Sequence, residues 1–162
     1  MARALILSYS LLFFSTFCFS QEKVKFMDFS FITTSSKEGT LYQTKSPYTL
    51  LYFYNPDCED CTKIKKELSK SKELKKLIEK GDIIVLAILP DVEKEYWQDN
   101  KKFIPKEWKN CWIANDKLII QTYLRTLPTF YLLDKDKYIY LTPNSKDLLK
   151  WIKLRYSENN NN

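Results

Sequence analysis

Residues Tyr48 to Leu89 leave little choice of architecture. Tyr48-Thr49-Leu50-Leu51-Tyr52-Phe53-Tyr54 is a short, almost wholly apolar run, rich in aromatics and bounded by Pro47 and by Asn55-Pro56-Asp57. That is the pattern of a strand buried on both faces. Residues 59 to 80 then place Ile64, Leu68, Leu74, Leu77 and Ile78 mostly on one helical face, and Gly81 supplies a stop, so one long amphipathic helix is predicted there. Asp82 to Leu89 is a second buried strand, closed by Pro90. A strand, a helix and a strand in that order, with a crossover of this length, make the two strands parallel. The chain is therefore expected to be an α/β protein built around a βαβ unit.

The flanking segments extend this unit. Residues 24 to 45 alternate loosely between apolar and polar, with Phe26, Phe29, Phe31 and Ile32 before Gly39 and Leu41-Tyr42 after it. This predicts a strand pair or extended arm about a Ser35 to Gly39 turn. Residues 91 to 116 carry Tyr96, Trp97, Phe103, Trp108 and Trp112 among charges and Pro105. They are too aromatic for a solvated linker and predict short helices packed on the core. Leu118 to Leu124 reads as a short helix, Thr129 to Leu133 as a strand, Asp134 to Lys137 as a turn, and Tyr138 to Leu141 as the antiparallel partner. Asn144 or Ser145 can cap a last helix through about Tyr156, buried through Leu148, Leu149 and Ile152. With 162 residues one domain suffices. It is expected over 21–156, with 157–162 a disordered polar tail.

Residues 1–20 have one cation, Arg3, then an apolar run from Ala4 to Phe19 broken only by hydroxyl residues and Cys18, and end at Ser20 before Gln21-Glu22-Lys23. This is the pattern of a secretory signal peptide cleaved near Ser20, which places the mature protein in the periplasm or another extracytoplasmic compartment. Contact with a membrane is expected only if the segment is retained as an anchor. Its removal lowers the net charge from +6 to +5. The lysines are interspersed with acids, as in Lys63 to Lys80, and no Arg-rich or aromatic-interleaved motif is present, so nucleic acid is not an expected partner.

Cysteine and histidine usage then narrow the chemistry. Cleavage leaves Cys58, Cys61 and Cys111, an odd number that argues against a fully paired scaffold and for one cycling pair with a thiol left over. There is no histidine, which removes His general bases, Cys–His nucleophile pairs and His-containing zinc or haem sites. A second Cys pair is also missing, so four thiol or imidazole ligands for zinc cannot be assembled; no metal and no cofactor are expected. Cys58 and Cys61 flank Glu59-Asp60 where the first strand meets the long helix. Unpaired amides and the positive helix end favour a thiolate there. Cys58 is the expected attacking thiol, and Cys61, one helical turn on, the thiol that resolves its mixed disulfide.

Glu59 and Asp60 have two readings. As carboxylates beside the sulfurs they disfavour a neighbouring thiolate and make the centre less oxidising. As acids in a first helical turn they complement the helix dipole. Lys63, Lys65 and Lys66 are candidates to offset their charge. Cys111, beside Trp112, reads as a small buried hydrophobe, with a regulatory partner for Cys58 or Cys61 as the alternative.

The run Leu50-Leu51-Tyr52-Phe53-Tyr54-Asn55-Pro56-Asp57-Cys58-Glu59-Asp60-Cys61 resembles the strand-to-helix active site of the thioredoxin superfamily. Thr126-Leu127-Pro128-Thr129, before the strand Phe130 to Leu133, resembles its cis-proline loop. Within the superfamily the chain looks closest to exported TlpA-type or bacteroidal thioredoxin-like proteins, over roughly Phe26 to Tyr156. The resemblance implies a central mixed β-sheet flanked by helices, with an N-terminal strand extension and an aromatic-rich insert before the proline loop. It also implies thiol-disulfide exchange with protein disulfide or dithiol substrates and an upstream redox partner. Leu127 and Pro128 would then receive an extended substrate, since a cis X-Pro bond turns the Leu127 backbone toward the redox pair. A monomer is expected. Two departures stand out: Tyr52 occupies the place of thioredoxin's buried aspartate, and Glu59-Asp60 replaces the commoner neutral or proline-containing pair. Reduction is the favoured direction. A non-catalytic interaction module with a static disulfide and a peroxide reductase are the alternatives, the latter weakened because Asn55-Pro56-Asp57 offers no threonine before the cysteine.

Overall fold

In the computed structural model, which describes residues 23–160, the apolar run becomes strand β3 (Tyr48–Phe53) in the middle of a seven-stranded sheet. The remaining strands are β1 (Ser30–Thr33), β2 (Glu38–Thr40), β4 (Ile83–Ile88), β5 (Lys109–Trp112), β6 (Thr129–Leu133) and β7 (Ile139–Leu141), and the spatial order is β2-β1-β5-β4-β3-β6-β7. As expected, β3 and β4 run parallel, in register from Tyr48↔Ile83 to Phe53↔Ile88. On its other side β3 pairs antiparallel with β6, Phe53 opposite Thr129.

Side chains alternate across a strand, so β3 feeds two cores. Leu50, Tyr52 and Tyr54 point to one face. There they pack with residues of helix α1 (Glu59–Lys70), helix α2 (Lys72–Glu79) and helix α5 (Ser145–Asn160), among them Leu68, Leu74, Leu77, Leu148 and Ile152. Leu51 and Phe53 point to the other, with Phe26, Phe29, Phe31 and Ile119 of helix α4 (Lys117–Tyr123). The mixed sheet flanked by helices is the predicted architecture.

Three expectations are corrected. The single helix over 59–80 is two, broken at Ser71 (φ −65°, ψ 116°), whose side chain accepts from the Leu74 N–H at 3.1 Å and starts α2. The reason is phase: Leu68 and Leu74 lie six residues apart, about 240° around a continuous helix, so both can reach the sheet only if the helix restarts. Within 91–116 a short helix, α3 (Lys94–Asp99), does form, but β5 follows it, parallel to β4 and antiparallel to β1. Four residues containing a lysine and an asparagine carry no alternation signal; their backbone is fixed by strands on both sides. Finally, α5 does not stop near Tyr156 but runs to Asn160, so 157–160 are helical rather than a disordered tail. Asn159 donates to Asp82 Oδ2 at 2.8 Å, and Lys80 Nζ donates to Asn160 Oδ1 at 3.0 Å. The predicted signal segment, and residues 161–162, lie outside the described residues.

The predicted N-terminal pair is the β1–β2 hairpin, turned through Ser36 at φ 57°. Gly39 sits where an added Cβ would come within 3.3 Å of the Phe31 ring. The segment before β1 is strapped along the β7 edge: Phe26 N–H donates to Lys137 O and Ile139 N–H to Val24 O. Among the described residues no helix is long and apolar enough to cross a membrane.

Candidate active site

The β3–β6 register fixes where the chemistry lies. Because the strands are antiparallel with Phe53 opposite Thr129, the loop leaving β3 and the loop entering β6 emerge at the same end of the sheet. The first folds as a tight turn, Asn55 Oδ1 accepting from Asp57 N–H at 2.8 Å and Asn55 O from Cys58 N–H at 3.1 Å. Cys58 is the N-cap of α1, and its sulfur takes the place a serine hydroxyl would fill, accepting from Cys61 N–H at 3.1 Å.

The two thiols differ in surroundings. Cys58 is half-buried and Cys61 fully buried. Burial, then the hydrogen bond with Cys58, pushes the Cys61 thiol up to about 12. Cys58 thus stands outermost, as expected of an attacking thiol. From the facing loop, Leu127 O lies 3.8 Å from Cys58 Sγ, and the Leu127–Pro128 peptide is cis. The structure therefore brings Cys58, Cys61, Leu127 and Pro128 together.

Tyr52 takes no part as a base. Its hydroxyl donates to Cys61 O at 2.9 Å, its ring stacks on Phe130 at 5.1 Å and on Tyr54 at 5.5 Å, and burial holds its proton firmly in place. It ties the first turn of α1 to the sheet. Tyr54 reaches the same face and shares Asn110 Oδ1 with Trp97: Tyr54 Oη donates at 3.1 Å and Trp97 Nε1 at 2.8 Å. Asn110 anchors the aromatic insert to the strand behind the cysteines.

Glu59 and Asp60 are exposed in the first turn of α1, where both readings of them stay compatible with the geometry. Of the lysines that could offset them, Lys65 is turned away, its ammonium 3.2 Å from the Phe103 ring centroid and its pKa lowered by burial. A contact not foreseen involves Asp57: Tyr96 of α3 donates its hydroxyl to Asp57 Oδ2 at 3.1 Å. The only sequence signal was an aromatic insert of unusual density. Cys111 lies fully buried in β5 on the face opposite Cys61, among Leu86, Ile88 and Ile113, with its thiol pushed up to about 12 by burial. It is the small buried hydrophobe expected, and the sheet separates it from the redox pair. Among the described residues no group of three or more His, Cys, Asp or Glu is placed to hold a metal ion.

A mixed sheet whose central strand delivers a Cys-x-x-Cys pair to a helix start, with a cis-proline loop against the outer sulfur, defines the thioredoxin-like class. A family model described as the thioredoxin-like domain matches residues 37–141, and the chain belongs to that family. Two solved structures agree. A thioredoxin-like protein from Bacteroides caccae is 30% identical with a TM-score of 0.74, the match covering 82% of this chain and 49% of that one. A conserved protein of unknown function from Bacteroides fragilis is 32% identical with a TM-score of 0.73, covering 80% and 96%. The chain thus spans about half the length of the first and nearly all of the second. The thioredoxin domain of a thiol-disulfide oxidoreductase from Bacteroides vulgatus shares the fold at 20% identity and a TM-score of 0.61, covering 80% and 96%. No curated protein matches the sequence. The bacteroidal thioredoxin-like resemblance read from Leu50 to Cys61 and Thr126 to Thr129 is thereby met.

Proposed function

We propose that the chain is an exported thiol-disulfide oxidoreductase that acts on protein disulfides through Cys58 and Cys61, in the reducing direction. The observation that carries this reading is the asymmetry of the pair: an outer sulfur at a helix start, within reach of the Leu127 carbonyl, and a buried sulfur one turn behind it. Export rests on the apolar segment of residues 1–20.

The Cys58 thiolate attacks one sulfur of a substrate disulfide. A Cys58–substrate disulfide forms, the substrate bond breaks, and the departing thiolate takes a proton from solvent. Cys61 then loses its proton and attacks Cys58 Sγ, forming the Cys58–Cys61 disulfide and expelling the second substrate thiol. The substrate gains two electrons and two protons, and an upstream dithiol partner restores the pair by the reverse exchange. Leu127 O beside the reacting sulfur is positioned to accept a backbone N–H of an extended substrate. What supports the reducing direction is the burial of Cys61, which withholds stabilisation from its thiolate and so makes the dithiol the better electron donor.

Cys58→Ser is expected to abolish reduction of a reporter disulfide, and Cys61→Ser to accumulate Cys58 mixed disulfides visible by mass spectrometry. Undiminished turnover by Cys58→Ser would remove the reading. A Cys58–Cys61 disulfide that resists every dithiol donor would instead favour a static interaction module.

A further inference from the structure

The residues flanking the outer cysteine carry charge of one sign. Asp57, Glu59 and Asp60 are all exposed, and no Lys or Arg occurs from Ser46 through Thr62, although the chain as a whole carries +6. Neither of the two ion pairs among the described residues, Lys76–Glu79 and Arg155–Glu158, involves these carboxylates. Two of the nearby cations are engaged elsewhere: Lys65 lies on Phe103, and Arg125, beside the proline loop, donates to the carbonyls of Gln121 and Leu124. Lys63, one turn along α1 from Glu59 and Asp60, stands on their side of the helix and leaves Asp57 as the acid farthest from a lysine of α1.

Helix capping does not account for Asp57. The N-cap of α1 is Cys58, and the bond recorded for the Asp57 carboxylate comes from a different element, the Tyr96 hydroxyl of α3. That bond places an acid immediately before the outer cysteine, with a Tyr96 ring that remains 40% exposed alongside it. A carboxylate beside an open aromatic ring suits a Lys or Arg side chain, whose charged head pairs with the acid while its aliphatic stem or guanidinium plane lies on the ring.

We propose that this centre selects protein disulfides whose cysteine is flanked by Lys or Arg, with Asp57 and Tyr96 as the contact pair and Glu59 and Asp60 adding attraction during approach. The inference rests on the exchange reading above. Its effect falls on the first step, attack of the Cys58 thiolate on the substrate disulfide, because that is when substrate charge meets the rim. Exposed charges act mainly on encounter and selectivity, and salt weakens them.

The test uses three peptide disulfides identical except for Lys, Gln or Glu on either side of the cysteine, with kcat/KM measured for each. At low ionic strength the Lys-flanked peptide is expected to exceed the Glu-flanked one by about tenfold or more, with the Gln-flanked peptide between. The ratio should shrink several-fold in 1 M salt, where the Debye length is about 3 Å. The triple variant Asp57→Asn, Glu59→Gln, Asp60→Asn should bring it close to one. Tyr96→Phe, which removes the bond to Asp57, should lower the ratio through the KM of the Lys peptide, and an unaltered ratio would take Tyr96 out of the contact pair. Equal rates for all three peptides with the unaltered protein would overturn the selectivity and leave exchange standing. No turnover of any peptide would overturn both.

Discussion

The sharpest consequence of burying Cys61 concerns the pH dependence of the second half of the exchange. In the reduced protein its thiol is pushed up to about 12, burial being the largest cause. Once Cys58 is tied into a mixed disulfide its hydrogen bond and charge no longer contribute, but burial remains. Each unit by which burial alone keeps the thiol above its ordinary value removes about tenfold of the thiolate at neutral pH. A more basic thiolate is a better nucleophile, with a Brønsted coefficient of about 0.4–0.5, so the net slowing is about three- to fourfold per unit. The sign is fixed: the reacting form is the deprotonated one, so resolution must accelerate as pH rises and must keep accelerating past the range in which a free cysteine is fully ionised. The neutral reagent 2,2′-dithiodipyridine separates the two steps. Attack by Cys58 releases one thiopyridone and leaves a Cys58–pyridyl disulfide, and attack by Cys61 on that disulfide releases the second. The rate of the second release is expected to climb about tenfold per pH unit from 6 to 9.5, and Cys61→Ser should lack that phase. A second phase that levels off at or below pH 9 would mean Cys61 titrates as an exposed thiol, and the argument from burial would fail.

Three further predictions concern what holds the site. Asn110→Ala strands the buried Tyr54 hydroxyl and Trp97 indole N–H and should lower unfolding free energy by about 2–4 kcal/mol in urea melts; a loss under 1 kcal/mol would mean water replaces the amide. Ser71→Ala removes the N-cap of α2 and should cost about 1 kcal/mol by the same measurement, whereas a stabilised variant would argue that the helix can run through. Phe26→Ala empties a fully buried site stacked on Tyr123 at 3.9 Å and should cost about 3–5 kcal/mol in thermal or urea unfolding. A near-neutral result would show that the N-terminal strap contributes little to the fold.

What could be read from the sequence was whatever a single segment states by itself. Tyr48–Phe53 is apolar along its length because it is covered on both faces, and it pairs as predicted. Cys58, Cys61 and Pro128 were legible because they sit in short motifs whose spacing places them. The misses depend on partners remote in sequence. Lys109–Trp112 becomes a strand because β1 and β4 hydrogen-bond it from both sides, and Asn110 is tolerated in the core because Tyr54 and Trp97 use its carbonyl oxygen. The last turn of α5 holds through contacts to Asp82 and Lys80, which a polar asparagine run does not announce. The Tyr96–Asp57 contact joins residues 39 apart. The break at Ser71 was different in kind, since the mismatch in phase between Leu68 and Leu74 was present in the sequence but diluted over a long amphipathic stretch.

The site's two departures from its better known relatives act on different steps. Tyr52 is occupied with Cys61 O and keeps its proton, so it does not serve the resolving thiol as a base, and the side of Cys61 that opens toward solvent is the one where half-buried Cys58 stands. The carboxylates of Asp57, Glu59 and Asp60 are exposed about Cys58, where on the exchange reading a substrate would arrive. On the exchange reading, capture is therefore governed by the exposed rim and release by a buried, reluctant thiol. These two controls are separable by experiment: salt and charge substitution should move the first thiopyridone-type step with charged substrates and leave the pH slope of the second intact, because burial of Cys61 is unaffected by the rim. A pH slope that changed when Glu59 and Asp60 were neutralised would show instead that the rim carboxylates relay the Cys61 proton, and the division between the two steps would have to be abandoned.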